Sequence, residues 1–221
     1  IQTTASTTQV VIGNVDATAN HRGWSNYLFT DGHVHFQLEN VQNTNGLDVA
    51  APLAINDGEL HHVVVTYGGN SLPAGANIYI DGVLQVLSTI GNSLTATTVT
   101  TGELRLGIWG STGQFATDGT PRQYSIFSGV LSQAQVNQLY NAGVPPVVDE
   151  LGIPGLLSYW KLDDEDAEGT DGIHDYGPGG FDGTAEGGLT LSARGEILER
   201  QSSLWSRIQA EAVMKMALGL R

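Results

Sequence analysis

The sequence predicts an all-β protein, an antiparallel sandwich followed by an α-helical tail. Three observations carry that expectation. Short apolar runs with two-residue alternation recur through the first 130 residues, separated by turn residues. Gly is abundant, at 29 of 221 residues, and Val and Thr are common, which suits strands and tight turns better than helices. Helical spacing arrives late, in one short segment after Leu131 and again from Glu196.

Each element has a local reason. The run "TQVVIGNV" reads as a strand closed by a Gly-Asn turn. In "GWSNYLFTDGHVHFQLEN" two strands flank a turn at Asp31-Gly32. Its second arm puts Val34, Phe36 and Leu38 on one face and His33, His35 and Gln37 on the other. "DGELHHVVVTYGG" is a turn leading into a strand from Leu60 to Tyr67. "ANIYIDGVLQVLS" is the strongest hairpin signal, because Asp81-Gly82 suits a two-residue type I′ turn. "GELRLGIW" alternates through Leu104, Leu106 and Ile108, and "RQYSIFSGVL" is one more short strand. Next, Ser132 is placed to cap a helix with Gln135 in a capping box, and Gly143 to stop it. A linker with three prolines leads to "GLLSYWKL", a strand running into acidic, Gly-rich loops. From Glu196 the apolar residues Ile197, Leu198, Leu204, Trp205, Ile208, Ala212, Val213 and Met216 fall on one helical stripe.

Charge narrows the partners. The net charge is −14, so neither a nucleic-acid partner nor binding to an anionic membrane is expected. There is no apolar run long enough for membrane insertion. Eleven of the 23 acidic residues lie between Asp149 and Glu186. With no cysteine, disulfides, thiolate metal sites and cysteine nucleophiles are excluded.

No Gly-x-Ser-x-Gly, His-Glu-x-x-His or P-loop is present. Retaining glycosidases need two carboxylates about 5–5.5 Å apart. On a strand that means alternating acids in an apolar run, which this sequence lacks. His61 and His62 are consecutive in a strand and point to opposite faces, so they do not chelate one ion. Trp24, Trp109 and Tyr176 lie near turns, as aromatics that stack on a sugar do.

The order of signals resembles a family. "GELHHVVVTY", "IYIDGVL", "LRLGIW", "YSIFSGVLS" and "AQVNQLYNAG" are similar to the second half of a laminin-G-like, concanavalin A-like lectin/glucanase jelly roll. The resemblance covers residues 1–143 and implies two packed antiparallel sheets. It also implies that "GLLSYWKLDDEDAEGTDG", which opens such a domain, here follows the closing helix. The domain's first strands are then missing before Ile1. On this reading residues 1–143 are the jelly roll, 144–155 a linker, 156–190 the displaced opening strand with its loops, and 191–221 the tail. The displaced strand would complete its own sandwich, complete a neighbour's, or begin a second, truncated repeat.

The family further implies a structural calcium, with Asp163, Asp164, Asp175 and Asp182 on the matching acidic loops. Arg122-Gln123 stand where the family carries acids. The expected function is a non-catalytic structural or adhesion module of an oligomeric surface assembly, such as a bacteriophage decoration or fibre protein. The alternative is an extracellular glycan-binding module. Assembly would use Trp160 and Leu162 of the displaced strand and Leu204, Trp205, Ile208 and Met216 of the tail. Partners would be further copies or other structural proteins, with a virion or cell surface as the location.

Overall fold

A computed structural model of the chain describes residues 1–16, 20–108, 119–162, 172–186 and 205–208. Nine strands join into one antiparallel sheet: β1 (Gln9–Val15), β2 (Gly23–Leu28), β3 (His33–Val41), β4 (Asn45–Ala54), β8 (Ser88–Asn92), β9 (Leu104–Leu106), β12 (Gly172–Ile173), β13 (Gly183–Glu186) and β14 (Trp205–Ile208). Their order is β12-β13-β14-β9-β1-β2-β3-β4-β8. Over it lies a second layer in two pieces. β5 (Val63–Tyr67), β6 (Ala76–Ile80) and β7 (Val83–Leu84) form one, and β10 (Tyr124–Phe127) with β11 (Leu156–Trp160) the other.

Side-chain alternation fills the space between the layers. From β3 and β4, Val34, Phe36, Leu38, Leu47 and Val49 meet Ile78 and Ile80 of β6. Under β10 and β11, Ile12, Leu104 and Leu106 meet Tyr124, Ile126, Trp160 and Leu162. The helix α1 (Gln133–Tyr140) packs on the outside of the second layer, with Val136 and Leu139 against Tyr79 and Tyr159.

Turn chemistry follows the sequence in most places. Asp81 and Gly82 both have positive φ, as a type I′ turn requires. At the β2–β3 hairpin the Gly32 amide donates to the Phe29 carbonyl, with Gly32 at φ +82°. Ser132 and Gln135 form both bonds of a capping box. The helix stops earlier than Gly143, because Asn141 already turns left-handed at φ 45°.

Three elements differ from expectation. Gly13-Asn14 is not a turn but lies inside β1, pairing with Ser25 and Trp24 of β2. A Cβ on Gly13 would meet the Trp24 carbonyl at 3.0 Å, so this glycine allows close strand approach. The ten-residue β4 was not evident in the sequence, where its Ala residues and Pro52 dilute the strand signal. The tail is strand rather than helix over Trp205–Ile208, where β14 pairs with β9 and β13. Tertiary pairing overrides local helical spacing there, since β9 would otherwise keep a free edge on that side. Leu204 and Met216 lie outside the described residues.

The displaced strand β11 pairs antiparallel with β10 of the same chain, Tyr124 opposite Trp160 and Ile126 opposite Ser158. Trp160 faces the interior, fully buried, and its indole N–H donates to the Phe181 carbonyl at 3.0 Å. Tyr159 faces α1 on the other side.

Two neighbouring histidines titrate in opposite senses. Burial works against the charge of His61, but hydrogen bonds to Asp81 and Asp57, at 2.7 and 3.1 Å, raise its pKa on balance. Burial lowers that of His62 to about 4. Unfolded, His62 takes its proton near 6.5. Between those values the unfolded chain binds more protons, so acidification from pH 6.5 to 4 removes up to about 3 kcal/mol of stability. His61 is protonated in both states over that window and contributes stability that is lost as pH rises through its raised pKa. Urea titrations of the chain and of His62→Phe across pH 4–6.5 should show the steeper loss in the unsubstituted chain. Parallel curves would mean His62 is not held neutral.

Candidate glycan-binding face

The outward face of the nine-stranded sheet carries the polar half of the alternation that builds the core. Register brings its residues together: Tyr27 lies opposite His35, Ser25 opposite Gln37, and Gln37 opposite Asp48. Asp48 is therefore diagonal to His35, within side-chain reach. The Tyr27 hydroxyl donates to Asp48 Oδ2 at 2.8 Å. His35 Nδ1 lies 3.0 Å from Asp48 Oδ1 and 3.1 Å from the Tyr27 hydroxyl. A carboxylate oxygen only accepts, so Nδ1 carries a proton in this contact.

The rings add a second layer of order. Tyr27 stacks on His35 at 4.8 Å, and Phe29 tilts against the same imidazole at 5.6 Å. Phe29 remains 44% exposed. The result is an accessible aromatic ring beside a fixed set of planar polar groups. Burial raises the Tyr27 pKa, and the Asp48 charge and hydrogen bond raise it further, so the phenol stays a donor.

A carboxyl lies further along β3. Glu39 is buried and accepts from Gln37 Nε2 and the Asn43 amide, both at 3.0 Å. Burial raises its pKa, against the opposing pull of the Asn43 bond, and the negative charge of Asp48 raises it too. Sequence reasoning missed this whole cluster. Its members sit on three strands, and the pairing that unites them leaves no spacing signature. The one available signal was the His33, His35, Gln37 face of β3.

The residues singled out from sequence are placed otherwise. Trp24 sits on the inward side of β2, half-buried against the core, which leaves it no sugar-stacking face on the outside. Tyr176 is half-buried, with the Lys161 ammonium 3.8 Å from its ring centroid and His174 edge-on at 4.6 Å. Trp109 lies outside the described residues, as do Asp163 and Asp164. Asp175 is a loop staple: its Oδ1 accepts from the Tyr159 and Gly177 amides, and its Oδ2 from Phe181. Three donors leave little lone-pair capacity for calcium. Asp182 receives the Asp175 amide and His174. Among the described residues no group of three or more His, Asp or Glu is arranged to hold a metal. Trp160 and Leu162, expected at an assembly surface, are core. Trp205 and Ile208 belong to β14.

A family model described as concanavalin A-like lectin/glucanases superfamily matches residues 1–137. The chain belongs to that superfamily. Searches of curated proteins and of solved structures found no match.

Asp175→Ala strands three amide donors in a buried loop and should cost roughly 2–4 kcal/mol in urea unfolding. Asp182→Ala, at a largely exposed carboxylate, should cost less than about 1 kcal/mol. Equal effects would show that Asp175 does not anchor the loop.

Proposed function

From its membership in the concanavalin A-like superfamily, we propose that the chain is a non-catalytic glycan-binding module acting through the outward face of the large sheet. The observation that carries this reading is Phe29, an exposed ring held against the Tyr27–His35–Asp48 network. A sugar ring stacks its C–H face on such an aromatic while its hydroxyls meet planar acceptors and donors. Here those are the Gln37 amide and Asp48, backed by the buried His35. With a net charge of −14, neutral or amino sugars suit the face better than acidic ones.

Catalysis is not part of the proposal. Glu39 and Asp48 share the face, and a hydrolase separates the pKa values of two such carboxyls. However, Glu39 is 4% exposed and already accepts two hydrogen bonds, so it does not reach a glycosidic oxygen. A glycan screen with the whole chain should give binders. Phe29→Ala should weaken them about tenfold, the loss of roughly 1–2 kcal/mol of stacking, with unchanged melting temperature. Binding unaffected by Phe29→Ala would place the site elsewhere, and release of reducing sugar would make the chain an enzyme.

A second reading, a structural or adhesion module in an oligomeric surface assembly such as a virion fibre, rests on a different edge. β8 ends the large sheet, and no charged residue occurs between Asp81 and Glu103. Val86 is 87% exposed and Ile90 61%. Among the described residues nothing pairs with the outer edge of β8, and an uncharged strand edge on an acidic protein is where two copies approach with least repulsion. Solution mass should then show oligomers that Ile90→Lys converts to monomers. A monomer at all concentrations removes this reading.

A further inference from the structure

We propose that Glu39 is an acid-sensitive positioning residue of the outward face. Charged, it fixes the Gln37 side-chain amide and the β3–β4 turn; on taking up a proton it loosens both. The inference rests on the glycan reading only for what the fixed amide then binds. Glu39 sits where the register of β3 against β4 shifts, between Glu39 and Val41, and an irregularity of this kind re-aims a side chain. Its neighbours directly across are both glycines, Gly23 on β2 and Gly46 on β4. A Cβ on Gly46 would meet Glu39 Cγ at 3.2 Å and the Leu38 carbonyl at 2.9 Å, so this glycine leaves the carboxyl its room.

In that space a single oxygen accepts two bonds. Glu39 Oε1 takes Gln37 Nε2 from along the strand and the Asn43 amide from the turn, both at 3.0 Å. Asn43 is left-handed, at φ 55°, and the adjacent Gln42 amide donates to the Asn20 carbonyl at 2.9 Å. One carboxylate thus ties the outward face to the turn and, through it, to the loop ahead of β2. Because a carboxylate only accepts, the Gln37 amide turns its nitrogen to Glu39. Its oxygen and second N–H are what remain for a ligand, between Ser25 and Asp48. Without this anchor the amide presents either end.

The charge is what a plain fastener does not need. A neutral amide would accept the same two bonds without the cost of burying a carboxylate. A carboxylate adds strength, since charge-assisted bonds are roughly twice as strong as neutral ones, and it adds sensitivity to acid. Burial raises the Glu39 pKa above its ordinary 4.5, against the opposing pull of the Asn43 bond. Of the charged groups bearing on it, His21 ahead of β2 lowers the value and Asp48 on β4 raises it, while Gly23 and Gly46 carry none. Both bonds are therefore strongest above the raised pKa and weaken as pH falls through it. Fold stability runs the other way at this residue, because the folded chain takes up the proton more readily than the unfolded one. A residue that only held the fold would lose order and stability together, and this difference separates the two roles.

The test uses the whole 221-residue chain, isotope-labelled, beside Glu39→Gln and Glu39→Leu. Nuclear magnetic resonance follows the Glu39 carboxyl carbon and the Gln37 side-chain amide from neutral pH down to about 4. The Glu39 carbon should titrate with a midpoint above 4.5, and the Gln37 amide should shift and exchange its protons faster with the same midpoint. Glu39→Gln keeps an acceptor oxygen but does not ionise. It should hold the amide without that titration and be no less stable than the unsubstituted chain at neutral pH; any titration left in it belongs to Asp48 or His21. Glu39→Leu, checked for folding by circular dichroism, should release the amide at every pH. Should it not fold, the unsubstituted chain and Glu39→Gln decide. Binding of N-acetylglucosamine tetrasaccharide, which is neutral throughout, is read in parallel. Affinity should fall about threefold or more across the Glu39 titration and stay flat in Glu39→Gln. A Gln37 amide that ignores the Glu39 titration overturns the proposal, as does sugar affinity that ignores it. If the sugar does not bind, the glycan reading fails for this probe, and the amide titration alone decides whether Glu39 positions Gln37.

Discussion

The register of β3 between β2 and β4 governs the core and the outward face together. Side chains alternate strictly along a strand, so one pairing decides both. With His35 opposite Tyr27, the inward residues are Val34, Phe36 and Leu38, each nearly fully buried. The outward residues are then His35, Gln37 and Glu39, and Asp48 arrives diagonally from β4. A slip of one residue would put His35, Gln37 and Glu39 into the core and expose Val34, Phe36 and Leu38. At roughly 1.5–3 kcal/mol for each buried apolar side chain, that alternative loses by a wide margin. The hydrogen-bonded cluster on the outside is therefore held in place by the apolar residues on the inside.

The second layer depends on a different kind of constraint. β11 is remote in sequence from the first strands, yet it supplies Trp160 to the space over β1 and β9. Its position is secured from three directions. β10 takes its backbone, Phe181 accepts the Trp160 indole N–H, and Asp175 accepts the Tyr159 amide. The acidic loop after it thus serves partly as scaffold, since a carboxylate is the one side chain able to accept several amide donors in a tight turn. Among the described residues β5 pairs only with β6 and β10 only with β11, and residues 1–3 bridge the segments that precede both.

Electrostatics distinguishes the large sheet's outward face from the histidine pair that precedes β5. Outside, Tyr27, His35 and Asp48 satisfy one another, so burial strengthens their bonds rather than leaving charge stranded. Beside Tyr140 of α1, His62 has no partner for Nδ1 and responds to burial by staying neutral. The adjacent His61 has two carboxylates and responds in the opposite way. Two identical side chains in sequence thus acquire opposite acid–base behaviour because a strand sends neighbours to different environments.

Local sequence determined the elements whose physics is local. Alternation in β3, the Asp81-Gly82 turn and the Ser132/Gln135 capping box need no distant partner, so each was legible in a few residues. So was the family, because its motifs lie along single strands and one helix. Tertiary structure alone decided the rest. β4 was hidden because Ala50, Ala51 and Pro52 have little strand preference, and pairing on both sides supplies what propensity lacks. Trp24 and Phe29 both sit near turns, yet one faces the core and the other water, which follows from the parity of β2 against β3. Glu39 and Asp48 share a face although nine residues separate them, because a hairpin folds β4 back on β3. The pairing of β14 at Trp205–Ile208 likewise overrode a helical spacing, since an open edge on β9 outweighs a local preference of a few tenths of a kcal/mol per residue. Strand contacts are made between residues far apart in the chain, and so a single sequence shows which face a residue takes more readily than which neighbours it meets.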